Sequence, residues 1–153
     1  NSQGLYYIVI SDNETIRKIA DLTAEWMQKE IEVNSPHSRY FSNILRTYHE
    51  RKIDIIARNA PQLIFGCARK LNLTGVSNCE QAWSYASLYA PTLGLGTTTA
   101  GFIQTCGISG YEPLVELLDI PKKQQIVGTL MVGYPKYKYQ RLVERQHLKV
   151  EFR

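Results

Sequence analysis

The sequence contains few cysteines, and they show no pairing pattern. Cys67, Cys79 and Cys106 are odd in number and have no CxxC spacing. This argues against a disulfide framework and against a zinc site built from closely spaced thiolates. Free thiols also favour a reducing compartment, so we expect a cytoplasmic protein whose cysteines are small core residues.

Long apolar runs and leader-like segments are lacking as well. No stretch approaches the roughly 20 apolar residues that cross a bilayer, so we expect no transmembrane segment and no membrane partner. The chain begins at Asn1 without an initiator Met or a charged-then-apolar leader, and a strand-like run follows at once. We expect such a start from a processed or truncated chain.

Recognisable catalytic side-chain motifs are also absent. His37, His49 and His147 fall in different predicted elements, and neither HExxH nor GxSxG occurs. We interpret all three histidines as structural or surface residues. In an enzyme, this lack of side-chain chemistry favours a cofactor that carries the reaction itself.

The charge that is present is modestly positive, +4 over 153 residues. Basic residues are scattered until the last stretch, from Lys136 to Arg153. Scattered positive charge is typical of a solvated surface, so we do not expect general nucleic-acid binding.

Hydrophobic spacing predicts a strand and two helices in the first third of the chain. Leu5 to Ile10 is predicted as a strand, and the capping-box spacing of Ser11 and Glu14 predicts that a helix follows. The buried face of that helix is expected to comprise Ile16, Ile19, Ala20, Thr23, Trp26 and Met27. A second helix is predicted from Ser38 to about Arg51. Its inward residues are expected to be Tyr40, Phe41, Ile44, Leu45 and Tyr48.

The rest of the chain again mixes strands with helices. The most apolar helix is predicted from Glu80 to Leu93, carrying Ala82, Trp83, Tyr85, Ala86, Leu88 and Tyr89. Strands are predicted at Gln62 to Ala68, Ile126 to Tyr134 and Leu148 to Phe152, and short helices at Thr98 to Cys106 and Glu112 to Leu118. No linker divides the chain, so we expect one α+β domain over residues 1–153.

The segment from Gly94 to Phe102 is the most informative one. Its glycines, its three threonines and the predicted helix start place free backbone N–H groups close to any ligand. Thr99 stands where a dinucleotide-binding fingerprint needs its third glycine, and a helix precedes the segment, so this is not that loop. Taken alone, the segment is equally compatible with one helix ending and another beginning.

Two further segments are candidate ligand contacts. Lys136, Lys138, Arg141 and Arg145 alternate with tyrosines after Gly133, a pattern that suits a phosphate, single-stranded nucleic acid or a solvated surface. At the other end, Asn1, Ser2 and Gln3 place polar side chains at the start of a strand, which a frayed terminus would also do.

Taken in order, these segments resemble the nitroreductase family of FMN-dependent NAD(P)H oxidoreductases. Four features carry the resemblance across essentially the whole chain: Asn1 and Gln3 before the first strand, Ala60-Pro61 before the strand from Gln62, the apolar helix running into Gly94-Leu95-Gly96 and then Gly101, and Gly133-Tyr134-Pro135 followed by basic residues. No single motif is highly specific, but their order is hard to obtain by chance.

The resemblance implies a fold, an assembly and a reaction. The fold would be a mixed, largely antiparallel sheet flanked by helices, in an interlocked homodimer with FMN at the interface and the C-terminal strand extending onto the partner. NAD(P)H would reduce the flavin in a ping-pong cycle, and electrons would pass to a nitro compound, quinone or similar acceptor. The family's opening basic segment would lie upstream of Asn1.

The resemblance also implies cofactor-binding residues. Backbone N–H groups around Ala100, Gly101 and Phe102, next to Thr99, would face the flavin near its N5 and O4 edge. Arg145, with Arg141 or Lys138, would pair with the phosphate, while Asn1, Ser2 and Gln3 would contact the partner's flavin. No metal and no catalytic side chain are implied.

Two alternatives remain open at this point. Tyr137 and Tyr139 resemble a branch of the family that uses ferredoxin, which would make the protein a redox module with little NAD(P)H activity. The basic-aromatic tail would otherwise belong to a non-enzymatic protein that binds nucleic acid or a protein partner.

Overall fold

A four-stranded sheet with helices on both faces organises the computed structural model, which describes residues 4–137, 146–147 and 149–152. The strands are β1 (Leu5–Ile10), β2 (Gln62–Arg69), β3 (Gly96–Thr99) and β4 (Gln124–Gly133). The helices are α1 (Asn13–Glu32), α2 (Ser38–His49), α3 (Gly75–Tyr89), α4 (Gly101–Ile108) and α5 (Glu112–Leu117), with a 3-10 turn at Ala90–Leu93. None of these helices is long and apolar enough to cross a membrane.

The sheet has the strand order β1-β2-β4-β3, and every pairing among these strands is antiparallel. The prediction of an α+β fold with a largely antiparallel sheet is therefore confirmed for the described residues. β4 lies between two neighbours and is buried from Ile126 to Val132, as its nearly continuous apolar sequence requires. The short strand β3 lies at the sheet edge.

The two faces of the sheet are covered unequally. One face carries the main core, in which α1, α2, α4 and α5 pack around buried side chains such as Phe65, Met27 and Ile103. Of the helices in the described part of the chain, α3 packs on the other face, where its Cys79 and Trp83 lie over Ala68 and Val127. This thin layer depends on two glycines that face each other across β2 and β4.

Gly66 and Gly128 are paired in the sheet beneath α3. A Cβ on Gly128 would lie 2.6 Å from both Trp83 Nε1 and Cys79 Sγ, which is closer than real side chains approach. A Cβ on Gly66 would also collide with Cys79 Sγ. The bare backbone at these positions lets α3 pack closely against the strands.

Burial confirms the predicted inward face of α1, since all six of its expected residues are buried. In α2 the prediction holds for Phe41, Ile44 and Leu45, but Tyr48 is only half-buried and Tyr40 is 57% exposed. No inward face was predicted for α3, and its Tyr85 and Leu88 are exposed although they belong to the most apolar helical segment.

Several predicted boundaries are also corrected. The first helix is capped by Asp12, whose carboxylate accepts hydrogen bonds from Thr15 N and Thr15 Oγ1, both at 2.7 Å, so Ser11 and Glu14 do not form a capping box. The helix predicted from Glu80 begins earlier, at Gly75, and its last residues form the 3-10 turn. The strand predicted at the C-terminus is not formed over Lys149–Phe152, and Leu148 lies outside the described residues.

Candidate functional site

The segment from Gly94 to Phe102 forms a turn, a strand and a helix start in close succession. Gly94 has a φ of 72°, the left-handed conformation that glycine adopts without strain, and ends the 3-10 turn. Thr97, Thr98 and Thr99 then continue as β3, paired with β4. The prediction of a helix from Thr98 is therefore wrong at its start, because β-branched residues beside an available partner strand favour extended backbone.

The N-terminus of α4 opens directly after this strand without a side-chain cap. Ala100 occupies the capping position, donates its own N–H to Thr129 O at 3.0 Å and accepts from Gln104 N at 2.8 Å through its carbonyl, but it has no side-chain acceptor for the first N–H groups of the helix. A Cβ placed on Gly101 would meet nothing within 4 Å. The first N–H groups of α4 thus have no side-chain cap, and they lie at the positive end of the helix dipole.

This helix start forms part of a cavity of about 420 Å³, which we call the aromatic–arginine pocket. Its walls come from α2, the loop before β2, the end of β3, the first turn of α4 and β4. The lining residues are His37, Tyr40, Phe41, Ile56, Arg58, Thr99, Gly101, Phe102, Thr105 and Met131. No acidic residue is among them, so Arg58 makes this lining positive.

One wall of the pocket is a series of aromatic rings. The Tyr40 ring lies 5.9 Å from the Phe102 ring and 6.3 Å from the Phe41 ring, measured between centroids. The Phe41 ring also lies 5.8 Å from the His37 ring and 5.3 Å from the buried Trp26 ring. Trp26 thus fixes Phe41 from the core side, while Tyr40 presents an exposed face suited to a planar ligand.

Arg58 reaches the pocket from a loop with an unusual backbone. Arg58 and Asn59 are consecutive left-handed residues, with φ of 55° and 53°. The carboxylate of Asp54 holds this conformation by accepting hydrogen bonds from Ile56 N at 3.2 Å, Ala57 N at 2.8 Å and Asn59 N at 2.8 Å. Two strained residues are thereby stabilised next to the pocket.

A smaller groove of about 270 Å³ continues from the pocket along β3. It shares Arg58 and Met131 with the pocket and runs past Thr97 and Thr98 to Tyr134, which is 83% exposed. The exposed hydroxyl-bearing side chains of β3 and the guanidinium of Arg58 therefore border one continuous surface depression.

A larger cleft, of about 870 Å³, lies between α1 and the loop before β2, but three of its polar side chains, Asp21, Tyr48 and Asp54, already have hydrogen-bond partners. The Tyr48 hydroxyl donates to Asp21 Oδ1 at 2.7 Å, and burial and this carboxylate together raise the pKa of Tyr48. Asp54, also in this cleft, already accepts three backbone N–H groups. We therefore place the functional site at the smaller pocket, where donors are open.

The cysteines have no role at this site. All three are free and buried. Burial raises the pKa of the Cys106 thiol to about 12 and that of Cys79 to about 11, and it also raises the pKa of Cys67. These thiols therefore stay protonated near neutral pH, as expected of core residues rather than nucleophiles. Among the described residues no cluster of metal-ligating side chains occurs.

The structure brings together part of the set of residues that the sequence predicted. Thr99, Gly101 and Phe102 line the pocket, and Ala100 is buried at the same helix start. The other predicted cofactor residues, Asn1, Ser2, Gln3, Lys138, Arg141 and Arg145, lie outside the described residues.

Seven of the ten residues that line the pocket were not predicted as site residues. His37, interpreted as structural or surface, lines the pocket together with Tyr40 and Phe41. Their spacing of three and four residues places them on one helical face, which was a readable signal. Arg58 gave no such signal, because its position depends on the left-handed backbone that Asp54 stabilises.

Comparison with known proteins identifies relatives of this chain. The model of the Nitroreductase family matches residues 1–134. No curated protein sequence matches significantly.

Solved structures share the fold at low identity. An FMN-bound nitroreductase from Desulfitobacterium hafniense has a TM-score of 0.70 at 15% identity, and one from Bacteroides fragilis a TM-score of 0.68 at 13% identity. Each match covers 98% of this chain and 77% of the other. An NADPH:FMN oxidoreductase from Vibrio harveyi in complex with NAD+ has a TM-score of 0.56 at 14% identity, covering 97% of this chain and 62% of that one.

Proposed function

Since the chain belongs to the nitroreductase family, we propose that it is an FMN-dependent oxidoreductase that passes electrons from NAD(P)H to a nitro compound, quinone or similar acceptor. The observation that carries the proposal is the uncapped start of α4 in the aromatic–arginine pocket. It offers backbone donors and open space where the family resemblance implies a flavin, and no catalytic side chain is needed.

The described residues fit FMN at this position. The N–H groups of Gly101 and Phe102 are donors suited to a flavin carbonyl, and the missing side chain of Gly101 leaves room for a ring edge to approach. Thr99 adds a hydroxyl beside them. The other proposed contacts are Lys138, Arg141 and Arg145 to the phosphate, with Asn1, Ser2 and Gln3 serving the flavin of a second subunit.

FMN, when bound, would supply the capacity to accept a hydride and release electrons. The chain's own contribution is to orient the ligands and to favour negative charge near the flavin carbonyls through the N–H groups and the dipole of α4. For a nitro acceptor the balance is simple: one NAD(P)H and one proton from solvent convert the nitro compound to a nitroso compound and water.

We also propose that donor and acceptor use the aromatic–arginine pocket in turn. Tyr40 and Phe102 form a single stacking wall beside the proposed flavin position, which favours alternating occupation by donor and acceptor over a ternary complex. A ping-pong cycle follows from such sharing. Parallel lines in double-reciprocal plots at several acceptor concentrations would support it, and intersecting lines would contradict it.

We further propose that the protein is a homodimer, with α3 in the interface. Tyr85 is 76% exposed, Leu88 78%, Tyr89 57% and Leu93 58% in the single chain, although they form one of its most apolar segments. Exposed apolar surface of this extent is typical of a protein–protein interface. Family membership makes a second copy of the chain its most natural partner.

The proposed function is tested by cofactor content and donor choice. Protein purified after FMN titration should show flavin absorbance and release FMN on heating. NADH, NADPH and reduced ferredoxin are then compared as donors with a quinone acceptor. Full-length protein that takes up no FMN would contradict the proposal. Turnover with reduced ferredoxin alone would show that ferredoxin, rather than NAD(P)H, is the electron donor.

A further inference from the structure

Arg58 is the charged side chain of the aromatic–arginine pocket that the proposed function does not use. Its guanidinium has no acidic partner among the residues that the structure describes, and no acidic residue lines the pocket. Besides Arg58, the lining residues with ionisable side chains are His37 and Tyr40. The pocket thus contains an available positive charge.

The loop backbone that carries Arg58 is held in a defined conformation. Arg58 and Asn59 hold left-handed backbone conformations that are uncommon for residues other than glycine. Asp54 stabilises them with three hydrogen bonds from backbone N–H groups, so the loop directs Arg58 to the junction of the pocket and the groove along β3.

The aromatic wall defines the shape of the ligand that this charge would meet. Tyr40 and Phe102 lie 5.9 Å apart between ring centroids, and Tyr40 is more than half exposed. A planar ring can stack on these side chains, and a carboxylate on its rim can pair with the guanidinium, which has a fork geometry that matches carboxylates.

We propose that the aromatic–arginine pocket selects aromatic electron acceptors that carry a carboxylate, with Arg58 as the residue that determines this preference. The inference rests on the proposed function, because it concerns the acceptor of that same reaction. Arg58 touches the substrate's carboxylate and takes no part in electron transfer.

The test compares two acceptors of nearly the same shape, of which one is an anion and the other is neutral. 4-Nitrobenzoate and its neutral counterpart 4-nitrobenzamide are assayed with the FMN-loaded full-length protein, both by steady-state reduction and by equilibrium binding to the oxidised protein without donor. The wild type should bind the benzoate about tenfold more tightly than the amide, as one charge-assisted hydrogen-bonded pair provides. The preference should appear in KM rather than kcat.

Two substitutions at Arg58 and one control complete the test. Arg58→Gln should bring the benzoate-to-amide affinity ratio, measured within that variant, down to about one, and Arg58→Lys should retain part of the preference. Arg51→Gln removes the same charge from the same loop, outside the pocket lining, and should keep the preference intact. Thermal unfolding shows that the variants are folded.

The outcomes separate this inference from the proposed function. Equal binding of the two acceptors by the wild type, or a preference that survives Arg58→Gln, would overturn the inference while amide reduction still upholds the proposed function. If Arg58→Gln instead weakens FMN or NAD(P)H binding, the anion that pairs with Arg58 is a phosphate of that cofactor, and the role of Arg58 in acceptor selection is refuted. Failure to bind FMN would overturn both.

Discussion

Gly101 is the residue at which cofactor binding and folding can be tested separately. Its φ lies outside the left-handed range, and a Cβ there would meet nothing within 4 Å, so Gly101→Ala should leave the thermal midpoint unchanged or slightly raised. The new methyl group would project into the space assigned to the flavin edge. We expect FMN to bind about tenfold more weakly, measured by fluorescence titration.

The same residue provides the contradicting outcome. If Gly101→Ala binds FMN as tightly as the wild type while remaining folded, the flavin does not approach the start of α4. A simultaneous loss of stability and of FMN binding would show that the substitution acts on the fold, contrary to the open space around this position.

At the scale of single elements, α1 offers a test of its corrected start. Asp12→Ala removes the acceptor for Thr15 N and Thr15 Oγ1 and should lower the thermal midpoint by a few degrees. Ser11→Ala, which removes only a contact to Gln62 Nε2 at 3.1 Å, should have a smaller effect. Equal effects of the two substitutions would favour the capping box that the sequence predicted.

The pH dependence of this effect has a defined sign. Hydrogen bonds from Thr15 lower the pKa of Asp12 in the folded protein. A carboxyl with a lowered folded-state pKa stabilises the fold at higher pH and loses that contribution as pH falls through its folded-state pKa. The difference between wild type and Asp12→Ala should therefore shrink in acid.

Helix α3 is the element on which the proposed homodimer depends. Leu88→Lys should leave the subunit folded, since this side chain is 78% exposed in the single chain. In the dimer an ammonium group would be buried without a partner, so self-association should weaken about 100-fold or more, measured by sedimentation. Leu73→Lys, at a 98% exposed position before α3, makes the same change and should leave the dimer intact.

At the scale of the whole molecule, ionisable groups buried on both faces of the sheet should make the protein less stable at alkaline pH. Burial raises the pKa of Cys106 in the main core to about 12 and that of Cys79 in the thin layer to about 11. Burial is also the largest of the causes that raise the pKa of Tyr6 to about 12. These groups stay protonated in the folded protein at pH values where the unfolded chain ionises. Stability should therefore be fully present below about pH 8.5 and fall as pH rises through the raised values.

Urea unfolding at pH 8 and pH 10 measures this fall. The variant Cys106→Ala starts from a lower stability but should lose less of it between the two pH values, because one of the linked ionisations is gone. An identical loss in both proteins would show that Cys106 does not contribute.

The sequence predicted those parts of the molecule that depend on local periodicity. The inward face of α1 was right at all six residues, because a 20-residue helix repeats its pattern often enough to be read. For α3 the pattern predicted no inward face, because apolar residues occur almost all round the segment, and Tyr85 and Leu88 are exposed in the single chain.

The site itself was predictable only where it is local in sequence. Thr99, Gly101 and Phe102 follow from the glycine-rich turn and the family resemblance, and the structure places them in one pocket. Arg58 enters that pocket through backbone conformations that Asp54 imposes from four residues away. No propensity of arginine indicates a left-handed conformation, so only the folded loop reveals it.

In that loop, the side chain proposed to bind the ligand and the side chain that holds the backbone belong to different residues, Arg58 and Asp54. Asp54 fixes the backbone through N–H groups alone, and the side chain at position 58 is exposed, so its identity is limited by the left-handed backbone but not by packing. Ligand preference can then drift, or be selected in a library, by exchange of one codon on an unchanged scaffold. Substitutions at position 58 would then test ligand preference, while Asp54 keeps the loop backbone unchanged.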